Sequence, residues 1–89
     1  MIYEIMLNLK KSEHLYSCSM TIHHPGAINN RRFIFGREIV GFNTSVIRFR
    51  GGETGYEEFS VPLEDVIEIE SEGKVVFRRK PRIKKVYPR

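Results

Sequence analysis

The chain has 89 residues, 40% hydrophobic and 29% charged, and carries a formal net charge of +4. A chain of this length builds one domain around one thin core, hiding about 60 to 65% of its unfolded surface, which leaves no room for a deep enclosed active site. The single cysteine, Cys18, excludes an intramolecular disulfide, and together with three histidines it has none of the paired spacings of a zinc site.

A reducing, cytoplasmic location and no structural metal or cofactor are therefore expected. The N-terminal stretch carries Glu4 and lacks both a basic leader and an unbroken apolar run, so neither a signal peptide nor a membrane span is expected. The charge is uneven. Arg78, Arg79, Lys80, Arg82, Lys84, Lys85 and Arg89 crowd the last twelve residues without an acid, leaving residues 1–77 with eight basic and eleven acidic side chains, a net of −3. Such a tail attracts an acidic partner such as RNA, although a charge run also serves as a solubilising extension.

In chain order, Ile2, Ile5, Met6 and Leu9 fall at i, i+3, i+4 and i+7, which predicts a short helix to about Lys11, its stripe widened by Tyr3 and Leu7. Lys10 and Lys11 suit its negative end. From Tyr16 to Ile22 the pattern alternates, with Tyr16, Cys18, Met20 and Ile22 on one side of a half-buried strand. His24-Pro25-Gly26 ends it, and Asn29 and Asn30 continue a polar loop.

A second strand is predicted at Arg32 to Phe35, a bend at Gly36, strand again at Glu38-Ile39-Val40, and a turn over Gly41 to Asn43. Ser45 to Arg50 reads as a strand with Ile47 and Phe49 inward and Val46, Arg48 and Arg50 outward. Gly51 to Gly55 is a glycine-rich hairpin connection, followed by a strand through Phe59, Val61 and Leu63. Ile67 and Ile69, the turn Ser71-Glu72-Gly73-Lys74, and Val75 and Phe77 form a closing hairpin whose four apolar residues should be inaccessible, with Glu68 and Glu70 in water. The fold class expected is α+β, an N-terminal helix packed on a curved antiparallel sheet or small open barrel of about five or six strands. Residues 1–80 are expected to form the domain and 81–89 a basic tail, expected to be mobile when unliganded.

Few residues suggest catalysis. His23 and His24 are neighbours in an extended chain and point apart, so they cannot chelate one ion together. Glu64 and Asp65 are separated in the same way unless the chain turns after Pro62, in which case both are solvated. No nucleophile has a neighbouring base, and the Gly51-Gly52 turn lacks the spacing of a phosphate loop. An enzyme is not expected.

The basic residues of the probable sheet are more informative. Arg31, Arg32, Arg37, Arg48 and Arg50 lie on neighbouring segments, where guanidinium groups can fork onto phosphate oxygens. Phe33, Phe35, Phe42 and Phe49 are interleaved with them and either stack on bases or, as expected in so small a core, pack inside. Seven acids from Glu57 to Glu72 confine any nucleic-acid surface to a local patch.

Ile22-His23-His24-Pro25-Gly26, Asn29-Asn30, Gly36-Arg37-Glu38-Ile39, Val61-Pro62-Leu63-Glu64-Asp65-Val66 and Gly73 through Phe77-Arg78-Arg79 fall in the order and spacing of a known pattern over residues 1–80. In that pattern the chain resembles the small, mostly archaeal proteins of domain-of-unknown-function family 504, whose domain has been proposed to recognise cyclic-phosphate ends of RNA. Pro25 stands where that family has Arg, and Glu64-Asp65 where it has His-Arg. The resemblance thus implies the fold, and carries over only His24 and the neighbouring Arg37 as phosphate contacts.

These readings converge on a non-catalytic RNA-binding or RNA-end-recognising module, with His24, Arg32, Arg37, Arg48 and Arg50 on the domain and the basic run Arg78, Arg79, Lys80, Arg82, Lys84 and Lys85 as an electrostatic arm. The alternative is a protein-interaction or assembly domain, pairing with a partner or a second copy through an open sheet edge such as Ser45 to Arg50.

Overall fold

The apolar stripe at the N-terminus forms helix α1, Ile2–Lys11, which turns Ile2, Met6 and Leu9 into the core. The computed structural model describes residues 1–51 and 57–79. Seven strands follow the helix: β1 Ser19–His23, β2 Arg31–Phe35, β3 Ile39–Phe42, β4 Val46–Gly51, β5 Glu57–Pro62, β6 Val66–Ser71 and β7 Lys74–Arg78. They make two antiparallel sheets, one ordered β2-β1-β6-β7 and the other β3-β4-β5. The α+β class holds, with two sheets and no closed barrel among the described residues.

The strand count exceeds the expected five or six because the chain changes sheet twice. At Gly36–Glu38 and again at Leu63–Asp65 a single 3₁₀ turn interrupts what would otherwise be one long strand. The first corner carries the chain from β2 to β3, and the second returns it from β5 to β6. Gly36 makes the first corner possible. It is buried, its N–H donates to the Cys18 carbonyl at 2.7 Å, and a Cβ there would overlap the Leu15 carbonyl oxygen. Glu38 braces the same corner by accepting the Phe35 N–H at 2.9 Å.

One apolar cluster joins all three layers: Met6 from the helix, Met20, Ile22, Ile34, Val66 and Ile69 from the first sheet, and Ile47 and Phe49 from the second. Each such side chain contributes about 1.5–3 kcal/mol on burial. Tyr3 of the helix meets Phe42 of β3 edge-on, with centroids 5.7 Å apart. The turns follow residue chemistry. Glu72 and Gly73 both have positive φ in the two-residue hairpin between β6 and β7, and the Asn43 side chain accepts the Ser45 and Val46 N–H groups before β4.

Several local expectations need correction. Tyr16 lies in a turn and is exposed, so β1 starts only at Ser19, although Cys18, Met20 and Ile22 do face inward. Gly41 and Phe42 are strand rather than turn. In the closing hairpin Ile69 is fully buried and Glu70 is exposed, but Ile67 and Phe77 are only half-buried and Val75 is exposed. Val75 is exposed because of a register shift between Ile69 and Glu70, which pairs Glu70 with Val75 and so turns Val75 outward. The expected edge at Ser45 to Arg50 is no edge, since β4 is the middle strand of its sheet and is paired on both sides. The connection beyond Gly51 and the basic tail from Lys80 lie outside the described residues.

Candidate nucleic-acid interface

The register of the four-stranded sheet fixes what its outer face presents. Met20 and Ile22 of β1 and Ile34 of β2 are buried, so the alternate residues of both strands point away from the core. On β2 those residues are Arg31, Phe33 and Phe35, and on β1 they are His23, Thr21 and Ser19, paired with them in that order. Phe33 is 58% exposed and Phe35 is 42% exposed. This reverses the expectation that they pack inside, which holds for Phe49 and partly for Phe42.

The two rings lie edge to face, centroids 5.2 Å apart and planes at 89°. Arg37, within the corner, sets its guanidinium 4.6 Å from the centre of the Phe35 ring. Its position follows from Gly36 and Glu38, which hold the corner on either side of it. At the opposite end, the exposed Arg31 and His23 form the last cross-strand pair before the loop. The outer face of β2 therefore reads as a short line of two aromatic rings with a guanidinium at each end.

Most of the other cations expected at the site are engaged elsewhere. Arg32 points the other way from Arg31, is half-buried, and lays its guanidinium 4.6 Å from the Phe59 ring centre at the margin of the core. Arg48 and Arg50 share Glu58, at 3.8 and 3.1 Å, on the outer face of the other sheet. Arg78 donates from Nε to Glu68 at 2.9 Å. Arg79 donates to the carbonyl oxygens of Val66 and Leu63 at 3.1 and 3.4 Å, tying the end of β7 to the second corner. Lys80, Arg82, Lys84 and Lys85 lie outside the described residues.

His24 follows β1 and is held by its own N–H, which donates to the Asn30 carbonyl at 2.7 Å. It stands beyond the Arg31 end of the hairpin, whereas Arg37 stands beyond the Phe35 end. The strand from Ser19 to His23 already spans about 13 Å at strand rise. One phosphate can be met by His24 or by Arg37, but not by both. Glu64 and Asp65, which replace His-Arg of the resembled pattern, sit in the 3₁₀ turn Leu63–Asp65, with Glu64 in solvent and Asp65 half-buried.

No family model, curated protein or solved structure matches this chain. The site is therefore defined by its own geometry. Among the described residues no three His, Cys, Asp or Glu side chains converge as a metal site would require, and no helix is long and apolar enough to cross a membrane. An open groove lies between the start of α1 and the second corner, lined by Tyr3, Ser45, Leu63 and Arg79 among others, and the Arg79 guanidinium on its wall already donates to the Leu63 carbonyl.

Proposed function

We propose that the protein is a non-catalytic module that binds single-stranded RNA on the outer face of β1 and β2. The observation that carries this reading is the exposure of Phe33 and Phe35 side by side, with Arg37 on one ring and Arg31 at the other end. Two large apolar rings in water are a cost to a domain this small, and bases are the ligands whose faces such rings stack upon. Residues two apart on a strand are about 6.7 Å apart, a separation that lets successive bases of an extended strand address successive rings. Arg31 and Arg37 then meet phosphates by forked, charge-assisted hydrogen bonds.

The basic tail has a separate role here, as a source of attraction without positional information. Removing residues 81–89 deletes Arg82, Lys84, Lys85 and Arg89 and takes the net charge from +4 to zero. That truncation should weaken binding strongly at low salt and flatten the salt dependence, by up to about 0.7 for each phosphate of a single strand that is no longer neutralised. Phe33→Ala or Phe35→Ala should instead weaken binding at every salt concentration. The expected loss is about 1–3 kcal/mol per base, roughly 5- to 150-fold. Fluorescence anisotropy with a short unstructured RNA, across a salt series, separates the two effects. If the full chain shows no affinity at low salt, or both phenylalanine variants bind like the parent, the RNA reading is wrong.

A second reading is strand pairing with a partner protein or a second copy along β7. It is favoured by the position of β7 at the end of its sheet, with Val75 and Val76 exposed on it. Association of that kind should respond little to salt. It should vanish when Val75, whose N–H points away from β6 because the hairpin closes on Ser71 and Lys74, is replaced with Pro.

A further inference from the structure

The outer face of the four-stranded sheet is divided by charge, and the division bears on base preference. Across the strands, one row runs Phe35, Ser19, Glu70, Val75 and the next runs Phe33, Thr21, Glu68, Arg78. Cations lie along β2, while the carboxylates lie two strands away on β6. Glu68 is already taken by Arg78. Glu70 is exposed and makes no ion pair or side-chain hydrogen bond among the described residues.

Resting on the RNA reading above, we infer that this face selects bases bearing an exocyclic amino group, cytosine over uracil among the pyrimidines, with Glu70 as the specificity-determining acceptor. Phosphates are held on the β2 side, where Arg31 and Arg37 stand, and are repelled from β6. The nucleic-acid strand therefore lies along β2, the outermost strand of its sheet among the described residues, with its bases directed inward across β1. Strands are about 4.8 Å apart, so a base stacked on Phe35 points its pairing edge over Ser19 towards a carboxylate about 10 Å from the β2 backbone. The base and the extended glutamate side chain together close that span. A carboxylate only accepts hydrogen bonds, so it favours the N4 amino group of cytosine and disfavours the O4 carbonyl that uracil presents at the same position.

Cytidine and uridine oligomers of equal length are the suitable probes, because two pyrimidines differ little in the area available for stacking. The full chain should bind oligocytidine at least about fivefold more tightly than oligouridine. Glu70→Gln, whose amide donates as well as accepts, should narrow the ratio to within about twofold, chiefly by strengthening uridine binding. Circular dichroism should show the variant folded like the parent, since Glu70 braces nothing among the described residues. Equal affinity for the two oligomers, or a preference that Glu70→Gln leaves intact, overturns the inference. The underlying reading fails differently: Phe33→Ala and Phe35→Ala would then leave both oligomers bound as before. Weakened binding of both on phenylalanine substitution with no preference between them retains the RNA surface and removes only the role of Glu70.

Discussion

Replacing Gly36 with alanine should be among the most damaging single-methyl changes in this fold, and the packing around the first corner sets the size of the effect. The added Cβ would overlap the Leu15 carbonyl oxygen and lie 3.0 Å from Cys18 Sγ and 3.1 Å from the Cys18 carbonyl oxygen. Two of those three atoms are main chain, so no rotamer change relieves the clash. The Cys18 carbonyl is also fixed by the 2.7 Å hydrogen bond from the Gly36 N–H. Overpacking a tight site costs about 1–3 kcal/mol, and the upper end applies where backbone must move. Against this, alanine reduces the freedom of the unfolded chain and returns about 0.4–1 kcal/mol.

The net loss is then about 2 kcal/mol, which for a domain of this size lowers the melting temperature by roughly 8–16 °C. Thermal and urea unfolding followed by circular dichroism would measure it, with the urea slope unchanged if only stability has altered. Gly26→Ala is the useful control. Gly26 has nothing within 4 Å of an added Cβ but sits at φ +92°, so its cost of about 1–2 kcal/mol is conformational rather than steric. A Gly36→Ala protein that melts within about 4 °C of the parent would refute the proposed packing of the first corner against Leu15 and Cys18.

Two further outcomes follow from burial. Phe49→Ala should cost about 3–5 kcal/mol, whereas Phe33→Ala should cost no more than about 1 kcal/mol, because it gives up little beyond the edge-to-face packing on Phe35; comparable losses in urea titrations would mean that Phe33 is not on the outer face. Burial also pushes the Cys18 thiol above its ordinary value of 9.0, against a smaller opposing effect of a backbone hydrogen bond. The unfolded chain therefore releases this proton first as pH rises, so the Cys18 contribution to stability is complete below about pH 9 and is lost on going higher. Cys18→Ala should flatten the alkaline limb of stability against pH, and the parent thiol should react with a thiol-specific reagent only as fast as the protein opens.

How much of this fold could be read from the chain depended on whether one pattern decided the matter locally. The helix was legible because Ile2, Met6 and Leu9 repeat at helical spacing over its length. The closing turn was legible because Glu72-Gly73 suits a two-residue hairpin of positive φ. The division into two sheets was not. Gly36 reads as a bend within a strand, and although Pro62 allows a turn at Glu64-Asp65, nothing there says that the turn sends β6 to pair with β1, far back in the chain. Nor could the bulge that exposes Val75 be found, since Lys74-Val75-Val76-Phe77-Arg78 is compatible with either register. The arginines are legible in the sequence as charges, but the carboxylates that occupy Arg48, Arg50 and Arg78 lie eight to ten residues away in sequence, across hairpins.

The aromatic surface is the feature of this fold least legible in the sequence. In Arg31-Arg32-Phe33-Ile34-Phe35 the two alternating sets are Arg32 with Ile34, and Arg31 with Phe33 and Phe35. Apolar content alone sends the second set inward. The decision is made instead by β1, where Met20 and Ile22 alternate with Ser19 and Thr21 without ambiguity. The hairpin register then pairs Ile34 with Met20, and Phe33 and Phe35 with Thr21 and Ser19. That register is held by the loop between the strands, in which the His24 N–H donates to the Asn30 carbonyl and the Asn30 N–H to that of Ala27. A slip of one residue would exchange the two sets and bury both phenylalanines. Burying a phenylalanine side chain completely is worth about 1.5–3 kcal/mol, but both rings are already about half covered, and the slip would expose the buried Ile34 and bring Arg31 inward in place of Arg32. The gain on the two rings and the loss at Ile34 are of similar size, so apolar burial on β2 does not select the register; the pattern of β1 and the loop between the strands do.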